Sequence, residues 1–129
     1  MKKLLLAVLA ILCVAAVLTA LAANPDKKGT LRHVVSFKYK DTADAAQVKK
    51  IEDAFRALKT KIPGIVSFES GTNISPEKLN KDFTHCYILT FKTEKNRDAY
   101  LVHPAHKAFG ELVGPALADV FVFDFWVRE

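Results

Sequence analysis

The sequence has few of the residues that would cross-link or loosen a small domain. Only two of its 129 residues are cysteines, and Cys13 falls within an apolar run near the N-terminus. Without that run, Cys86 has no partner in the chain, which excludes an internal disulfide. The sequence also has no repeat and no low-complexity tract, and a composition of 50% hydrophobic and 26% charged residues excludes a disordered tail and a coiled coil.

The excess of positive over negative charge is also small. Nineteen Lys and Arg residues against fourteen Asp and Glu residues give a net charge of +5, which is spread along the chain. Nucleic-acid-binding proteins concentrate basic residues in a patch or stripe, so we expect no nucleic-acid partner. A length of 129 residues, 50% of them hydrophobic, indicates one globular domain with a small core.

One long hydrophobic run is present, and it lies at the N-terminus. Lys2 and Lys3 precede residues 4–23, in which Thr19 is the only polar side chain. Ala20-Leu21-Ala22 has the small-x-small form that signal peptidases accept. The pattern of a basic start, an apolar stretch and a small-residue site is typical of an export signal.

We therefore expect residues 1–23 to be a signal peptide, residues 24–30 a linker and residues 31–128 the folded domain. A periplasmic or secreted location follows from that interpretation. The alternative is an uncleaved membrane anchor, because about twenty apolar residues can span a bilayer. In either case the folded part is expected outside the cytoplasmic membrane, and membrane contact is expected only if the N-terminal segment stays uncleaved.

Alternating hydrophobicity marks four segments of the remaining chain as strands. Residues 31–40 and 83–92 place apolar side chains at every second position. Residues 65–70 show a weaker strand pattern. Residues 120–127 are nearly all apolar, on both faces, and a strand of that kind is covered on both sides. Because two helices cover only one face of a four-stranded sheet, the pattern predicts a homodimer packed sheet on sheet.

Helical spacing separates these strands at two places. Asp41-Thr42 is expected to cap the first helix, whose apolar positions recur from residue 48 to residue 62. Thr93 is expected to cap the second helix. Pro104 interrupts that helix, and a shorter one follows over residues 105–113. The predicted order of elements is therefore β-α-β-β-α-β.

Four histidines and one tyrosine are the candidate chemical groups. His33 and His85 lie on the apolar faces of their strands, where they could share one cavity. His103 and His106 are three residues apart, and Tyr100 precedes them by three and six residues. A tyrosine hydroxyl beside a neutral imidazole is a plausible acid–base pair, because histidine titrates near physiological pH. The alternative is that these groups are hydrogen-bonded members of the core.

A metal site and a cysteine nucleophile are both disfavoured by spacing. The histidines do not follow a zinc-binding pattern, so we expect neither a metal nor a cofactor. Cys86 is adjacent to His85, and consecutive strand residues point to opposite faces. Cys86 is therefore interpreted as a structural thiol.

The chain resembles the stress-responsive α/β barrel (Dabb) domain family over about residues 30–128. A His-Pro-x-His motif with an upstream tyrosine is the specific part of the resemblance. The resemblance implies an α+β fold: a ferredoxin-like monomer with a four-stranded antiparallel sheet, paired into a dimeric α/β barrel. The matching segments are Leu31 to Lys38, Phe83 to Phe91, Tyr100 to His106 and Val122 to Phe125.

The resemblance also implies roles for individual residues. A plant polyketide cyclase of that family closes a linear thioester by aldol condensation, with a tyrosine and the second histidine of the motif as its acid–base pair. Those positions are Tyr100 and His106 here. The other pocket histidines match His33 and His85, and the first histidine of the motif matches His103, which is expected mainly to shape the turn.

Three functions remain open from the sequence. The first is a pocket that binds a small hydrophobic or aromatic ligand through the histidines and Tyr100. The second is an acid–base enzyme that cyclises or isomerises a carbonyl compound, or a cofactor-free oxygenase, with Tyr100 and His106 transferring protons. The third is a structural stress protein in which the same groups only stabilise the fold.

Overall fold

The structure, a computed structural model, describes residues 29–128. The predicted signal peptide, residues 1–23, and residues 24–28 of the predicted linker lie outside the described residues. The elements, in chain order, are β1 (Leu31–Tyr39), α1 (Ala45–Lys61), β2 (Ser67–Thr72), β3 (His85–Phe91), α2 (Glu94–Val102), α3 (Pro104–Val113), a 3-10 turn (Gly114–Ala116) and β4 (Leu117–Trp126).

The four strands form one antiparallel sheet in the order β2-β3-β1-β4. The predicted β-α-β-β-α-β order is confirmed, with the second helical region divided into α2 and α3. In the central strand β1, alternate side chains from Leu31 to Phe37 are buried beneath the helices. The intervening side chains face the other side of the sheet, which carries no helix among the described residues; we call this side the open face.

The helices begin at short polar caps. The Asp44 carboxylate accepts a hydrogen bond from the Gln47 amide at 2.8 Å, so α1 begins after Asp44. The prediction of a cap at Asp41-Thr42 was wrong, because the chain first turns there, with the Ala43 amide donating to the Lys40 carbonyl at 3.0 Å. The predicted cap at Thr93 is confirmed, since its hydroxyl accepts from the backbone of α2.

The core lies between the helices and the covered face of the sheet. Aromatic rings fill much of it: Phe55 of α1 lies 4.4 Å from Phe109 of α3 and 4.7 Å from Tyr87 of β3, centroid to centroid. Aromatic pairs at these separations add packing energy beyond the area they bury. The core therefore locks both helical regions onto the sheet.

The last strand begins earlier than the sequence pattern predicted. β4 starts at Leu117 because β1 extends past a register shift between Lys38 and Tyr39 and continues to pair with it. It is also an edge strand, and both of its apolar faces are about half exposed, at 52% for Val122 and 55% for Phe123. Edges with exposed apolar side chains favour association with another chain.

None of the helices in residues 29–128 has both the length and the hydropathy required to cross a bilayer.

Candidate functional site

The site is built around His33, which lies in the middle of β1 on its helix-covered face. Its side chain is almost fully buried, with the residue 4% exposed. Its Nδ1 atom lies 2.7 Å from Oδ1 of Asp124. Because a carboxylate only accepts hydrogen bonds, Nδ1 carries the proton. Nε2 is then the ring nitrogen that remains for another partner.

Asp124 and Arg97 are functional candidates that the sequence reasoning missed. Antiparallel pairing of β1 with β4 places Asp124 directly opposite His33. The second oxygen of Asp124 accepts a short hydrogen bond from Nη1 of Arg97, on α2. The carboxylate is therefore shared between a guanidinium and an imidazole, a charge-assisted arrangement that holds both donors in place.

The only sequence signal for this pair was the single acidic residue within the otherwise apolar stretch of residues 120–127. Asp124 interrupts the run of valine and phenylalanine in β4, and a carboxylate that is partly removed from water favours a hydrogen-bonding or charged partner. Arg97 gave no comparable signal, because α2 is short and its other side chains are largely polar. Its Nε also donates to Asp98 at 2.7 Å, and the hydrogen bonds to Asp98 and Asp124 raise the Arg97 pKa.

Tyr100 is the second member of the site. It is the buried residue of α2, 1% exposed, and its ring centroid lies 5.5 Å from that of His33. Among the described residues, no group forms a hydrogen bond with its hydroxyl. Burial, and to a smaller extent the charge of Asp124, raises the pKa of Tyr100. The phenol is therefore neutral at physiological pH and is available as a proton donor.

His106 is the third member, and local structure fixes its tautomer. Its ring lies 4.3 Å from that of Tyr100, centroid to centroid. Its Nδ1 donates to the Leu101 carbonyl at 3.1 Å, which leaves Nε2 with a free lone pair when the ring is neutral. Burial lowers the pKa of His106, a shift that the Leu101 hydrogen bond opposes and the neighbouring His33 reinforces.

The break between α2 and α3 explains why the Leu101 carbonyl can accept a hydrogen bond from His106. In a continuous helix, the Leu101 carbonyl would bond the amide of Ala105. Here His103 caps α3, and its Nδ1 accepts from the Ala105 amide at 3.1 Å. Pro104 has no amide hydrogen to offer. The carbonyl therefore pairs with the imidazole of His106, and His103 shapes the turn through this cap.

His85 lies apart from the other members. Along the β1–β3 register it is four residues from the position opposite His33, a distance of about 13 Å at strand spacing. Its Nε2 lies 3.8 Å from Oε1 of Glu52, and its Nδ1 lies 2.8 Å from the Thr84 hydroxyl. The structure therefore unites His33, Tyr100 and His106 but separates His85 from them.

Two buried tyrosine hydroxyls lie near His85. In the described part of the chain, the hydroxyls of Tyr39 and Tyr87 complete no hydrogen bond, although each lies close enough to affect the other. Burial raises the pKa of both groups. Both phenols are therefore neutral, and this end of the core contains polar atoms whose desolvation is not offset.

Within residues 29–128, no cluster of three or more His, Cys, Asp or Glu side chains could hold a metal ion. Three side chains of the site offer acid–base or hydrogen-bonding chemistry of their own. A base is present at Nε2 of His106, and a neutral hydroxyl at Tyr100. A positioned imidazole, His33, is held by Asp124. Such a set can remove a proton from carbon and stabilise the oxygen on which charge develops.

Comparison with known proteins links this arrangement to a family. A profile described as the Stress responsive A/B Barrel Domain matches residues 31–127. The stress-response A/B barrel domain-containing protein HS1 of Arabidopsis thaliana is 27% identical over 100 residues, covering 78% of this chain and 92% of that protein. Olivetolic acid cyclase of Cannabis sativa is 24% identical over 99 residues, covering 77% and 98%.

A solved structure gives the same result for the fold. A dimeric ferredoxin-like protein of unknown function from Jannaschia sp. CCS1 superposes with a TM-score of 0.68 at 23% identity. The match covers 77% of this chain and 100% of that one. The predicted ferredoxin-like fold is thereby confirmed, and this neighbour is described as a dimer.

Proposed function

The chain belongs to the stress responsive A/B barrel domain family, and from that premise we propose that it binds a small hydrophobic or aromatic carbonyl compound and transfers a proton to or from it. Tyr100 and His106 are the reacting groups in this proposal. His33, Asp124 and Arg97 act as positioning groups. No cofactor is required for such a reaction, because both the proton acceptor and the proton donor are side chains.

The observation that carries the proposal is the state of His106. Its Nδ1 is committed to the Leu101 carbonyl, and burial lowers its pKa, so Nε2 is an unprotonated base at neutral pH. Its ring packs against Tyr100, whose neutral hydroxyl has no partner among the described residues. Enolisation requires a base that accepts the proton and a hydrogen-bond donor for the enolate oxygen, and these two adjacent rings provide both.

The proposed step balances within these groups. A C–H bond beside the substrate carbonyl breaks, and its proton moves to Nε2 of His106. The electron pair becomes an enolate, whose oxygen accepts a hydrogen bond from the Tyr100 hydroxyl. The enolate then attacks a second carbonyl carbon, whose oxygen takes the proton from Nε2, or the enolate takes that proton back at another carbon. Cyclisation and isomerisation are the two outcomes, and the name of the olivetolic acid cyclase relative favours the first.

Deuterium exchange tests the proposal without knowledge of the natural substrate. The full-length chain is incubated in D2O with acetophenone or ethyl acetoacetate, and NMR measures loss of the α-hydrogen signal. We expect exchange above the buffer rate. Replacing His106 by Gln or Tyr100 by Phe should lower it about 100-fold or more. Lys107→Gln, an exposed change on the same helix, is the matched control. Equal exchange in all four proteins would contradict the proposal.

A structural role is the second candidate, and one observation favours it. Tyr100 is 1% exposed, so the site is closed to large molecules in this conformation. If the site only stabilises the fold, both His106→Gln and Tyr100→Phe should unfold at lower urea concentration than the wild-type chain, and neither carbonyl compound should exchange. Exchange in the wild-type chain would exclude this reading.

We also propose that the chain forms a homodimer through the open face of the sheet. The row of Phe121, Phe123 and Phe125 is 41–55% exposed there, and three large rings on one strand are costly to leave in water. Solved relatives of the same fold are described as dimers. A second copy of the sheet would cover these rings, as the two-sided pattern of β4 predicted.

Export is a further part of the proposal. It rests on the sequence of residues 1–23, namely the basic start, the apolar run and the small-residue site before Asn24. Mass spectrometry of the N-terminus after cell fractionation tests it. A processed N-terminus near residue 23 in the exported fraction supports export, whereas an intact N-terminus in the cytosol contradicts it.

A further inference from the structure

The two edges of the open face carry side chains of very different size. On β4, the residues that face this side are Phe121, Phe123 and Phe125. On β2, at the opposite edge, they are Ser67, Glu69 and Gly71. A second sheet packed on this face lies about 10 Å away across the whole interface. Large side chains of one copy are therefore best opposed by small ones of the other.

Two directions of the two-fold axis are possible when the strands of the two sheets are aligned. An axis perpendicular to the strands places β4 over β4 of the partner, so that rings face rings and a gap remains over β2. An axis parallel to the strands reverses the strand order, so that β4 lies over β2 of the partner and β1 over its β3. This axis also keeps every residue at its own height along the strands. Only the parallel axis opposes the rings of β4 with the small residues of β2.

A cavity of about 550 Å³ on the open face agrees with the parallel axis. Its floor includes Gly71, Cys86 and Ser36, which form one row across β2, β3 and β1 and have small side chains. Phe121 continues the same row on β4. Because heights are kept, the Phe121 ring of a second copy comes over Gly71 and enters the cavity. Leu79 borders the cavity from the β2–β3 loop and is not part of this row.

Two opposite charges on the open face have no ionic partner among residues 29–128. Arg32 lies on β1, where its Nη1 donates to the hydroxyls of Thr30 at 2.9 Å and Thr90 at 2.6 Å. These bonds hold the guanidinium in place and leave the donors of Nε and Nη2 for another acceptor. Glu69 is exposed on β2 and forms no hydrogen bond or ion pair within the described part of the chain.

The parallel axis brings these two charges together. It places β1, which carries Arg32, over β3 of the partner, and the strand next to β3 is β2, which carries Glu69. In the register of the sheet, Arg32 pairs with Thr90 and Glu69 pairs with Ile88, so the two heights differ by one pleat, about 7 Å. The long side chains of arginine and glutamate on facing sheets can span that offset.

We propose that the two copies pack with their two-fold axis parallel to the strands, and that Arg32 of each copy forms an ion pair with Glu69 of the other. Phe121 of each copy then occupies the cavity over Gly71 of the other. The ion pairs select this orientation, since a perpendicular axis leaves two strands between Arg32 and the partner's Glu69. The inference rests on the homodimer proposed above and adds how its copies are oriented.

Charge reversal on either side of the ion pair tests the orientation. Arg32→Glu sets acidic side chains against each other, and Glu69→Arg sets basic ones against each other. We expect each change to raise the dissociation constant of the homodimer about tenfold or more in sedimentation equilibrium, because facing like charges oppose association. Circular dichroism checks that both variants fold.

Mixing the two variants should restore the dimer, because every glutamate then faces an arginine. Native mass spectrometry of ¹⁵N-labelled Arg32→Glu mixed with unlabelled Glu69→Arg should show more heterodimer than random pairing gives. Asp119→Arg is the matched control: Asp119 is an acid on β4 at the other end of the open face, where a perpendicular axis would carry Arg32. It should not pair preferentially with Arg32→Glu.

A size change tests the same orientation without altering a charge. A Cβ at Gly71 meets nothing within 4 Å, so Gly71→Leu should fold while filling the cavity. We expect it to raise the dissociation constant of the homodimer about tenfold or more, since it meets the partner's Phe121. Gly110→Leu, an exposed position on α3 where a Cβ also meets nothing within 4 Å, should leave it unchanged.

The outcomes separate this orientation from the homodimer itself. A wild-type monomer would overturn both. A wild-type dimer that Phe123→Lys abolishes, but that Glu69→Arg and Gly71→Leu leave intact, would keep the homodimer and overturn the orientation. Random pairing of Arg32→Glu with Glu69→Arg, or preferential pairing of Arg32→Glu with Asp119→Arg, would also overturn it.

Discussion

The imidazole of His33 and the carboxylate of Asp124 meet across two neighbouring strands, with Nδ1 and Oδ1 2.7 Å apart. The two residues are 91 positions apart in the chain, and only the pairing of β1 with β4 brings them together. Arg97 engages the other carboxylate oxygen from α2. This one carboxylate therefore joins the central strand, the edge strand and a helix at the proposed site.

We expect Asp124→Asn to destabilise the chain by about 1–3 kcal/mol, because the partly buried Arg97 loses one of its two anionic partners and keeps only Asp98. The His33 ring should also lose its fixed tautomer, since an amide can donate as well as accept. Urea denaturation measures the first effect and ¹⁵N chemical shifts of the ring measure the second. Asp119→Asn, an exposed change on the same strand, is the control. Equal stability of the two variants would contradict the prediction.

This relationship also shows what the sequence could and could not predict. Strand and helix order follows from local spacing, which is why the β-α-β-β-α-β order was predicted correctly. The Asp124–His33 pair depends on the pairing register of β1 and β4. The local spacing of apolar residues does not determine the register of two strands so far apart in sequence. The separation of His33 from His85 has the same origin: both were placed correctly on the covered face, but their distance along it was not predictable.

The N-terminal caps of the helices could be predicted from the sequence only in part. Thr93 was identified because one candidate residue precedes its helix, whereas Asp41, Thr42 and Asp44 all precede α1. Tertiary structure selects the last, since β1 must first end and the chain must turn before the helix can start. The helix break at Pro104 was predicted from the sequence. That the break leaves the Leu101 carbonyl to accept a hydrogen bond from His106 could be seen only in the atomic structure.

The second prediction concerns pH. The pKa of His106 in the folded chain lies below its ordinary value of 6.5, so the unfolded chain binds this proton more readily. The neutral His106 ring therefore contributes fully to the free energy of unfolding above about pH 6.5, and this contribution is lost as the pH falls through the pKa of the folded chain. NMR titration of the ring should give a midpoint below 6.5.

The stability difference between the wild-type chain and His106→Gln should follow the same dependence, shrinking as the pH falls through that window. Measuring both proteins by urea denaturation at several pH values removes the contribution of the other histidines. A midpoint at or above 6.5, or a difference that grows on acidification, would show that the fold favours the charged ring.

The third prediction concerns the buried hydroxyl of Tyr87. Because that oxygen completes no hydrogen bond with the described residues, removing it should relieve desolvation without leaving a partner unpaired. We expect Tyr87→Phe to unfold at the same urea concentration as the wild-type chain or higher. Phe55→Ala, in the same aromatic cluster, should cost about 3–5 kcal/mol. A loss above about 1 kcal/mol in Tyr87→Phe would reveal a partner for the hydroxyl.

The fourth prediction concerns the open face. Phe123 stands at the centre of the exposed row on β4, with Phe121 and Phe125 on either side. If a second copy covers this row, Phe123→Lys places a charge in an apolar interface, where desolvation opposes association. Because the side chain is 55% exposed within one copy, the fold of the monomer should survive the change.

Size-exclusion chromatography with light scattering, with circular dichroism as a check on folding, measures the outcome. We expect the wild-type chain to be a dimer and Phe123→Lys to be a folded monomer. Leu79→Lys, at a position 74% exposed in the β2–β3 loop, should remain a dimer. A wild-type monomer at micromolar concentration would rule out the dimer. A dimer that persists in Phe123→Lys would place the interface on another face, where Val120 and Val122 of β4 are the exposed apolar alternatives.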